Sequence, residues 1–148
     1  MFFAGNGGSA ATASHFASDF LGANIKMKIK PPYQTISLTD NNSVITAFGN
    51  DSGYDLIFMN QLISLFSEGD VLVIISASGN SPNILEAVNW VNGNNGVSVG
   101  IVGFDGGQVL KICQHTIHCQ SNKGEYGPVE DTHLIIDHII NNYILEHV

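Results

Sequence analysis

Charge is what this chain has least of. Only 12% of its residues are Asp, Glu, Lys or Arg, five basic against thirteen acidic, for a formal net charge of −8. Such a chain lacks the basic footprint that holds nucleic acid or an anionic membrane through its field. So few charges on a surface that must meet water point to burial of part of it against further copies of the chain. Cysteine is scarce too, with Cys113 and Cys119 alone. If the stretch between them is extended they lie about 20 Å apart, too far to share a disulfide or a zinc ion, so they read as reduced thiols. No apolar run approaches the roughly 18 residues of a membrane span, and the N-terminus lacks the basic flank of a signal peptide, which makes the cytoplasm the expected compartment.

What is present suits one compact domain over 1–148, with 44% hydrophobic residues and 16 glycines. The most informative stretch is Val71-Leu72-Val73-Ile74-Ile75-Ser76-Ala77-Ser78-Gly79-Asn80-Ser81-Pro82. Its apolar start reads as a strand covered on both faces, and Pro82 sits where a helix takes its first residue. A strand that ends in small polar residues and opens a helix makes an anion site. Free backbone N–H groups and the positive end of the helix dipole face the ligand, and serine hydroxyls add hydrogen bonds. The loop contains no Lys or Arg, which fits a phosphate monoester on a small sugar better than a nucleoside triphosphate.

Elsewhere, Met1 to Ala4 reads as the stub of a strand, so the chain is expected to begin inside its own sheet. Gly5-Asn6-Gly7-Gly8-Ser9 turns into a helix over Ala10 to Leu21, with Ala13, Phe16, Ala17 and Phe20 at helical spacing. Lys26 to Pro32 is a basic connection and a solvated edge, and Tyr33 to Leu38 a second strand. Helices follow over Asn41 to Gly49 and Tyr54 to Phe66, then the Asp70 to Ser76 strand and a helix from Pro82 to about Val91 that should bury Trp90. Val97 to Val102 is a strand, Gln108 to Cys113 a short helix, Thr116 to Cys119 a last strand, and Pro128 opens a long final helix. His115 and His118 point to opposite faces of the last strand, toward solvent or backbone. Strands alternating with helices predict an α/β fold with a parallel, doubly wound sheet.

The turn Gly5-Asn6-Gly7-Gly8-Ser9-Ala10 formally fits the dinucleotide fingerprint G-x-G-x-x-G/A. That reading expects an acidic residue about 20 positions on. Asp40 comes thirty positions after Ala10, and the serine loop would be left without a task. No nucleotide cofactor is therefore expected; both loops should line one pocket at the carboxyl ends of parallel strands.

Taken together, Gly5-Asn6-Gly7-Gly8-Ser9-Ala10-Ala11 with His15-Phe16-Ala17-Ser18-Asp19, Gly49-Asn50-Asp51, Ser76 to Asn83, and Glu130-Asp131-Thr132-His133 with His138 resemble the sugar isomerase (SIS) domain family, within it most nearly the phosphoheptose isomerases. The resemblance implies a three-layer sandwich around a five-stranded parallel sheet, a homotetramer, and a phosphosugar bound between subunits. The reaction it implies converts sedoheptulose 7-phosphate to D-glycero-D-manno-heptose 7-phosphate, an early step toward lipopolysaccharide heptose. Ser76, Ser78 and Ser81 would hold the phosphate, Asn6, Gly7, Gly8 and Ser9 the sugar chain, and Asp40 and Glu130 further sugar atoms. Asp19 stands at the catalytic carboxylate and His138 at the catalytic histidine. In metal-binding members, zinc or another divalent ion sits at the positions of His15, Asp19, Glu130 and His138.

The residues themselves agree in part. An aldose–ketose interconversion moves a proton between adjacent carbons through an enediol and needs an acid–base group on each side of the carbon chain. His15 and Asp19, four apart, share one helix face. The chain also departs from the family. Asp19 replaces a glutamate, one methylene longer, and Glu130 replaces a glutamine, which brings a second carboxylate near Asp19 and should push one of the two toward its protonated form. Glu130 and His138 are eight positions apart, about 12 Å along a helix axis, so both would reach one ion only by leaning inward. Gly127 replaces a substrate-binding aspartate, the loop around Tyr126 is unfamiliar, and a domain without the family's N-terminal helix is expected. A phosphosugar-binding module without isomerase activity, or an isomerase for another phosphosugar, is the alternative.

Overall fold

In the computed structural model, which describes residues 1–147, five strands form one all-parallel sheet in the order β2-β1-β3-β4-β5. In chain order these are β1 (Phe2–Gly5), α1 (Gly8–Met27), β2 (Ile36–Ser37), α2 (Asn42–Asp51), α3 (Met59–Leu65), β3 (Val71–Ser76), α4 (Pro82–Gly93), β4 (Val97–Val102), α5 (Val109–Ile112), β5 (His115–His118) and α6 (Tyr126–His147). Among the described residues, no helix is long and apolar enough to cross a membrane.

Side chains alternate across the sheet and supply two cores. Phe2, Leu72 and Ile74 point to one face, where Leu62, Ile84, Val88 and Val109 from α3, α4 and α5 cover them. Phe3, Ile75 and Ile101 point to the other, against Phe16, Phe20 and Ala23 of α1 and Ile144 of α6. The sandwich of the resemblance is therefore present, with α1 and α6 side by side on one face. The strand order reverses direction between β1 and β3, the crevice where such sheets open to ligands.

Several boundaries differ from the sequence expectation for tertiary reasons. α1 runs on to Met27 because Asn24 clasps Tyr33, donating to its carbonyl at 2.7 Å and accepting from its N–H at 2.8 Å. Lys28, left-handed at φ 53°, then ends it. β2 shrinks to two residues, since it is an edge strand paired with β1 alone. The helix expected over Tyr54 to Phe66 breaks into a single 3-10 turn at Tyr54–Leu56 and then α3. α6 starts at Tyr126, which leaves Pro128 inside the first turn, where its missing N–H costs little. Trp90 is only half-buried, edge-on to Phe66 at 5.3 Å between ring centroids. His118 donates to the Phe104 carbonyl at 3.0 Å in the tautomer with Nε2 protonated, His115 is exposed, and both cysteines are free.

Candidate active site

The glycine turn follows β1 and the serine loop follows β3, so both lie at the carboxyl ends of neighbouring strands. Gly7 caps α1 at φ 57°, ψ −125°, a conformation that side chains disfavour, and no side chain caps the helix. Ser81 stands at the N-cap of α4 without bonding back to it, and Pro82 takes the first helical position. The Ser81 hydroxyl and the first turn of α4 are thus both left for a ligand. Within the loop, Ser76 Oγ accepts from the Gly79 N–H at 3.1 Å, and Asn80 bonds the Ser78 carbonyl at 2.8 Å and the Gln108 N–H at 3.0 Å. Gly79 adopts φ 62° directly against the Gly106 carbonyl, where a Cβ would overlap that oxygen.

The two loops are tied to each other. Asn6 and Asn83 exchange a pair of amide hydrogen bonds, each 2.9 Å, and the Tyr54 hydroxyl donates to Asn6 Oδ1 at 3.0 Å. Asn83 is 1% exposed in the first turn of α4, so this pair sets the spacing of the two turns. Asn83 and Tyr54 escaped the sequence reading. An asparagine in the first turn after a Ser-Pro helix start reads as an ordinary cap, and only contact across the crevice reveals more.

A second group lies between α1 and α6. His15 Nε2 and His138 Nε2 are 3.2 Å apart, with the rings edge to face at 5.2 Å between centroids. Asp19 Oδ2 is 3.8 Å from His15 Nε2 and accepts from Asn141 Nδ2 at 3.2 Å. Asp137 Oδ2 is likewise 3.8 Å from His15 Nε2. One donor atom from each of His15, Asp19, Asp137 and His138 lies within 4.8 Å of all the others. Two imidazoles and two carboxylates are ligands a divalent transition ion accepts. Asp137, which the sequence reading did not single out, is fully buried and neither of its oxygens has a hydrogen-bond partner. Burial, reinforced by the Asp19 charge, pushes its carboxyl up to about 6, against the pull of the two histidines. His133 Nδ1 and Nε2 and Asn141 Oδ1 are buried without partners too. The signal was there: His133, Asp137 and Asn141 recur every four residues, a polar stripe on one face of the helix.

Glu130 is not in that group. Its carboxyl lies against Gly8 at the start of α1, where a Cβ on Gly8 would strike it. This follows from helix geometry: two turns separate Glu130 from His138 on α6, whereas Asp137 is adjacent. The raised carboxyl expected beside Asp19 is accordingly that of Asp137. Asp40 also stands apart. With Ser14, Ser37, Asn41 and Gln61 it lines a cavity of about 950 Å³ on the β2 side of α1, bonded to the Ser14 hydroxyl, while His15 and Asp19 look toward α6. Ser9 is buried, Ser78 half-buried, and Gly127 falls in the first turn of α6, next to Tyr126, whose ring meets Phe104 edge-on at 5.0 Å.

Comparison with known proteins agrees with this geometry. Residues 1–102 match the sequence profile of the SIS domain. The whole chain is 38% identical to a phosphoheptose isomerase of Nitratidesulfovibrio vulgaris, covering 71% of it, and 36% identical to that of Maridesulfovibrio salexigens, covering 72%. The phosphoheptose isomerase GmhA of Neisseria gonorrhoeae superposes with a TM-score of 0.86 at 32% identity, over 97% of this chain and 74% of that one.

Proposed function

The chain belongs to the SIS domain family and is homologous to phosphoheptose isomerases, and on that footing we propose that it interconverts sedoheptulose 7-phosphate and D-glycero-D-manno-heptose 7-phosphate. The observation that carries the reading is the meeting of α1 and α6, which sets Asp19 beside the facing imidazoles of His15 and His138, 123 positions apart in the chain. The phosphate sits on the serine loop, bonded by Ser76, Ser78 and Ser81 and by the N-terminus of α4. Asn6, Gly7, Gly8, Ser9 and Glu130 line the carbon chain, and Asp40 reaches a sugar hydroxyl.

Asp19 and His138 exchange the protons. One accepts the proton from the carbon next to the carbonyl while the other protonates the carbonyl oxygen, which leaves a neutral enediol. The same two groups then return a proton to the former carbonyl carbon and withdraw one from the hydroxyl on the carbon first deprotonated, which becomes the new carbonyl, so that no proton is gained or lost. The Asn141 amide holds the Asp19 carboxylate in place. His15, Asp19, Asp137 and His138 would hold a divalent ion, and such an ion would supply positive charge to the site when bound.

Exposed apolar side chains on α1 and α6, among them Ile25 at 81%, Ile139 at 61% and Tyr143 at 62%, support assembly as a homotetramer that completes the site between subunits. Free thiols suit work in the cytoplasm, at an early step in making lipopolysaccharide heptose. The test is incubation with sedoheptulose 7-phosphate in deuterated water, with and without zinc, following deuterium at the carbon next to the carbonyl. Incorporation together with the heptose product is expected. Binding of the sugar without exchange under any metal condition makes the protein a phosphosugar-binding module, and exchange only with another sugar phosphate moves the substrate.

A further inference from the structure

We propose, on the phosphosugar reading of the site, that Tyr54 and Asn83 are positioning residues: they occupy the side-chain amide of Asn6 so that it offers the sugar one N–H and no acceptor. A side-chain amide carries two N–H donors and an oxygen with two lone pairs. In Asn6 that oxygen is filled twice, by Asn83 Nδ2 at 2.9 Å and by the Tyr54 hydroxyl at 3.0 Å. One N–H goes to Asn83 Oδ1, also at 2.9 Å. The set closes on every group of the Asn6 amide except one proton. Asn6 itself is half-buried in the turn between β1 and α1, at the crevice, so that proton is open to a ligand there.

Both partners are held by structure of their own. Asn83 is buried in the first turn of α4, and its amide cannot turn away to water. Tyr54 is exposed, yet its place is fixed. Gly53 turns the chain after α2 at φ 97°, and the 3-10 turn Tyr54–Leu56 runs straight into Ile57 and Phe58, both buried in the core. The Tyr54 side chain thus reaches from an anchored turn to the glycine loop, 48 positions away in the chain. A flip of the Asn6 amide alone would set N–H against N–H and oxygen against oxygen across the pair, so its orientation is locked. An amide oxygen that accepts two hydrogen bonds also polarises the amide and makes the remaining N–H a stronger donor. The sugar atom that meets Asn6 is therefore an acceptor, the carbonyl oxygen or a hydroxyl lone pair. A hydroxyl that has to donate finds no partner at this point, and that is a means of choosing between sugars.

The full chain, wild type and Tyr54→Phe, is titrated by calorimetry with sedoheptulose 7-phosphate and separately with inorganic phosphate, which meets the serine loop alone. Tyr54→Phe should bind the sugar phosphate about three- to tenfold more weakly, the effect of one neutral hydrogen bond, and inorganic phosphate like the wild type. In isotope-labelled protein the two Asn6 amide protons, identified by their loss in Asn6→Ser, are followed by NMR. One should be protected from exchange by Asn83 and the other exchange with water. Sugar phosphate should shift the second alone, and Tyr54→Phe should move the resonances of the amide. Equal weakening toward both ligands makes Tyr54 a prop of the whole crevice and overturns the proposal. So does an unchanged sugar affinity in Tyr54→Phe, or a wild-type amide whose two protons exchange alike. The amide protons are read without any sugar. A wild-type chain that binds no sedoheptulose 7-phosphate, or binds it without turnover, therefore counts against the substrate or the isomerase reading, while the amide resonances still decide whether Tyr54 and Asn83 lock Asn6.

Discussion

The loops after β1 and β3 spend their polar groups on one another, whereas the helix face that completes the site carries polar groups with nothing to meet. Asn6, Asn83 and Tyr54 form a closed set, the Gly79 N–H donates to Ser76 Oγ, and Asn80 bonds the Ser78 carbonyl and the Gln108 N–H. On α6, by contrast, His133, Asp137 and Asn141 all hold buried atoms without partners. The difference matches the division of work proposed above. A phosphate site made of backbone N–H groups and hydroxyls must be rigid before the ligand arrives, because the dipoles work only if they need not reorganise. A group that trades protons or takes a cation must keep lone pairs free, and it bears the cost of burying them.

The largest effect should come from the unsatisfied side. Asp19→Ala is expected to lower kcat by on the order of 10²–10⁴-fold with little change in KM, measured with the deuterium exchange assay; a change in KM alone would move Asp19 to the binding side of the comparison. Asn83→Ala probes the satisfied side. It leaves the Asn6 Nδ2–H without its acceptor and should cost about 1–3 kcal/mol of stability in urea unfolding, and unchanged stability would mean that the amide pair does not hold the loops. Ser78→Ala should weaken phosphosugar binding roughly tenfold by calorimetry, the value of one hydrogen bond to a charged group. An unchanged affinity removes Ser78 from the phosphate site.

The smallest effect is a pH dependence confined to α6. Burial lowers the His133 pKa, so in the native chain it resists protonation while the unfolded chain takes up a proton near about pH 6.5. Stability contributed by neutral His133 is then present above that value and is lost as pH falls through it. Asp137, whose carboxyl is pushed up to about 6, works in the opposite direction, gaining stability as pH falls through that value, and so offsets part of the loss. Thermal melts of the metal-free protein should therefore show a lower Tm near pH 6 than near pH 7, and His133→Gln should flatten that slope. A slope equally steep in the variant would place its source elsewhere.

Reading the residues in order reached most of the fold and about half of the site. The apolar run Val71 to Ile75 and the serines after it were legible because a strand, a turn and a helix start are written in neighbouring residues. The Gly5 to Ala10 turn was legible for the same reason, and helical spacing placed His15 and Asp19 on one face. Helix ends were less so: the clasp of Asn24 on Tyr33 that extends α1 joins residues nine apart and leaves no local mark.

The amino-acid order alone thus determined the parallel α/β sheet, the glycine and serine loops at its carboxyl edge and the face shared by His15 and Asp19, since each depends on interactions within a few residues of chain. Only packing decided that Asn83 locks Asn6, that Asp137 stands beside the histidines, and that Glu130 and Asp40 stand apart from them. Those outcomes turn on how α6 is rotated against α1 and how β1 lies beside β3. Such angles are set by the fit of two hydrophobic cores, and a shift of one residue along a helix swings a side chain by about 100°.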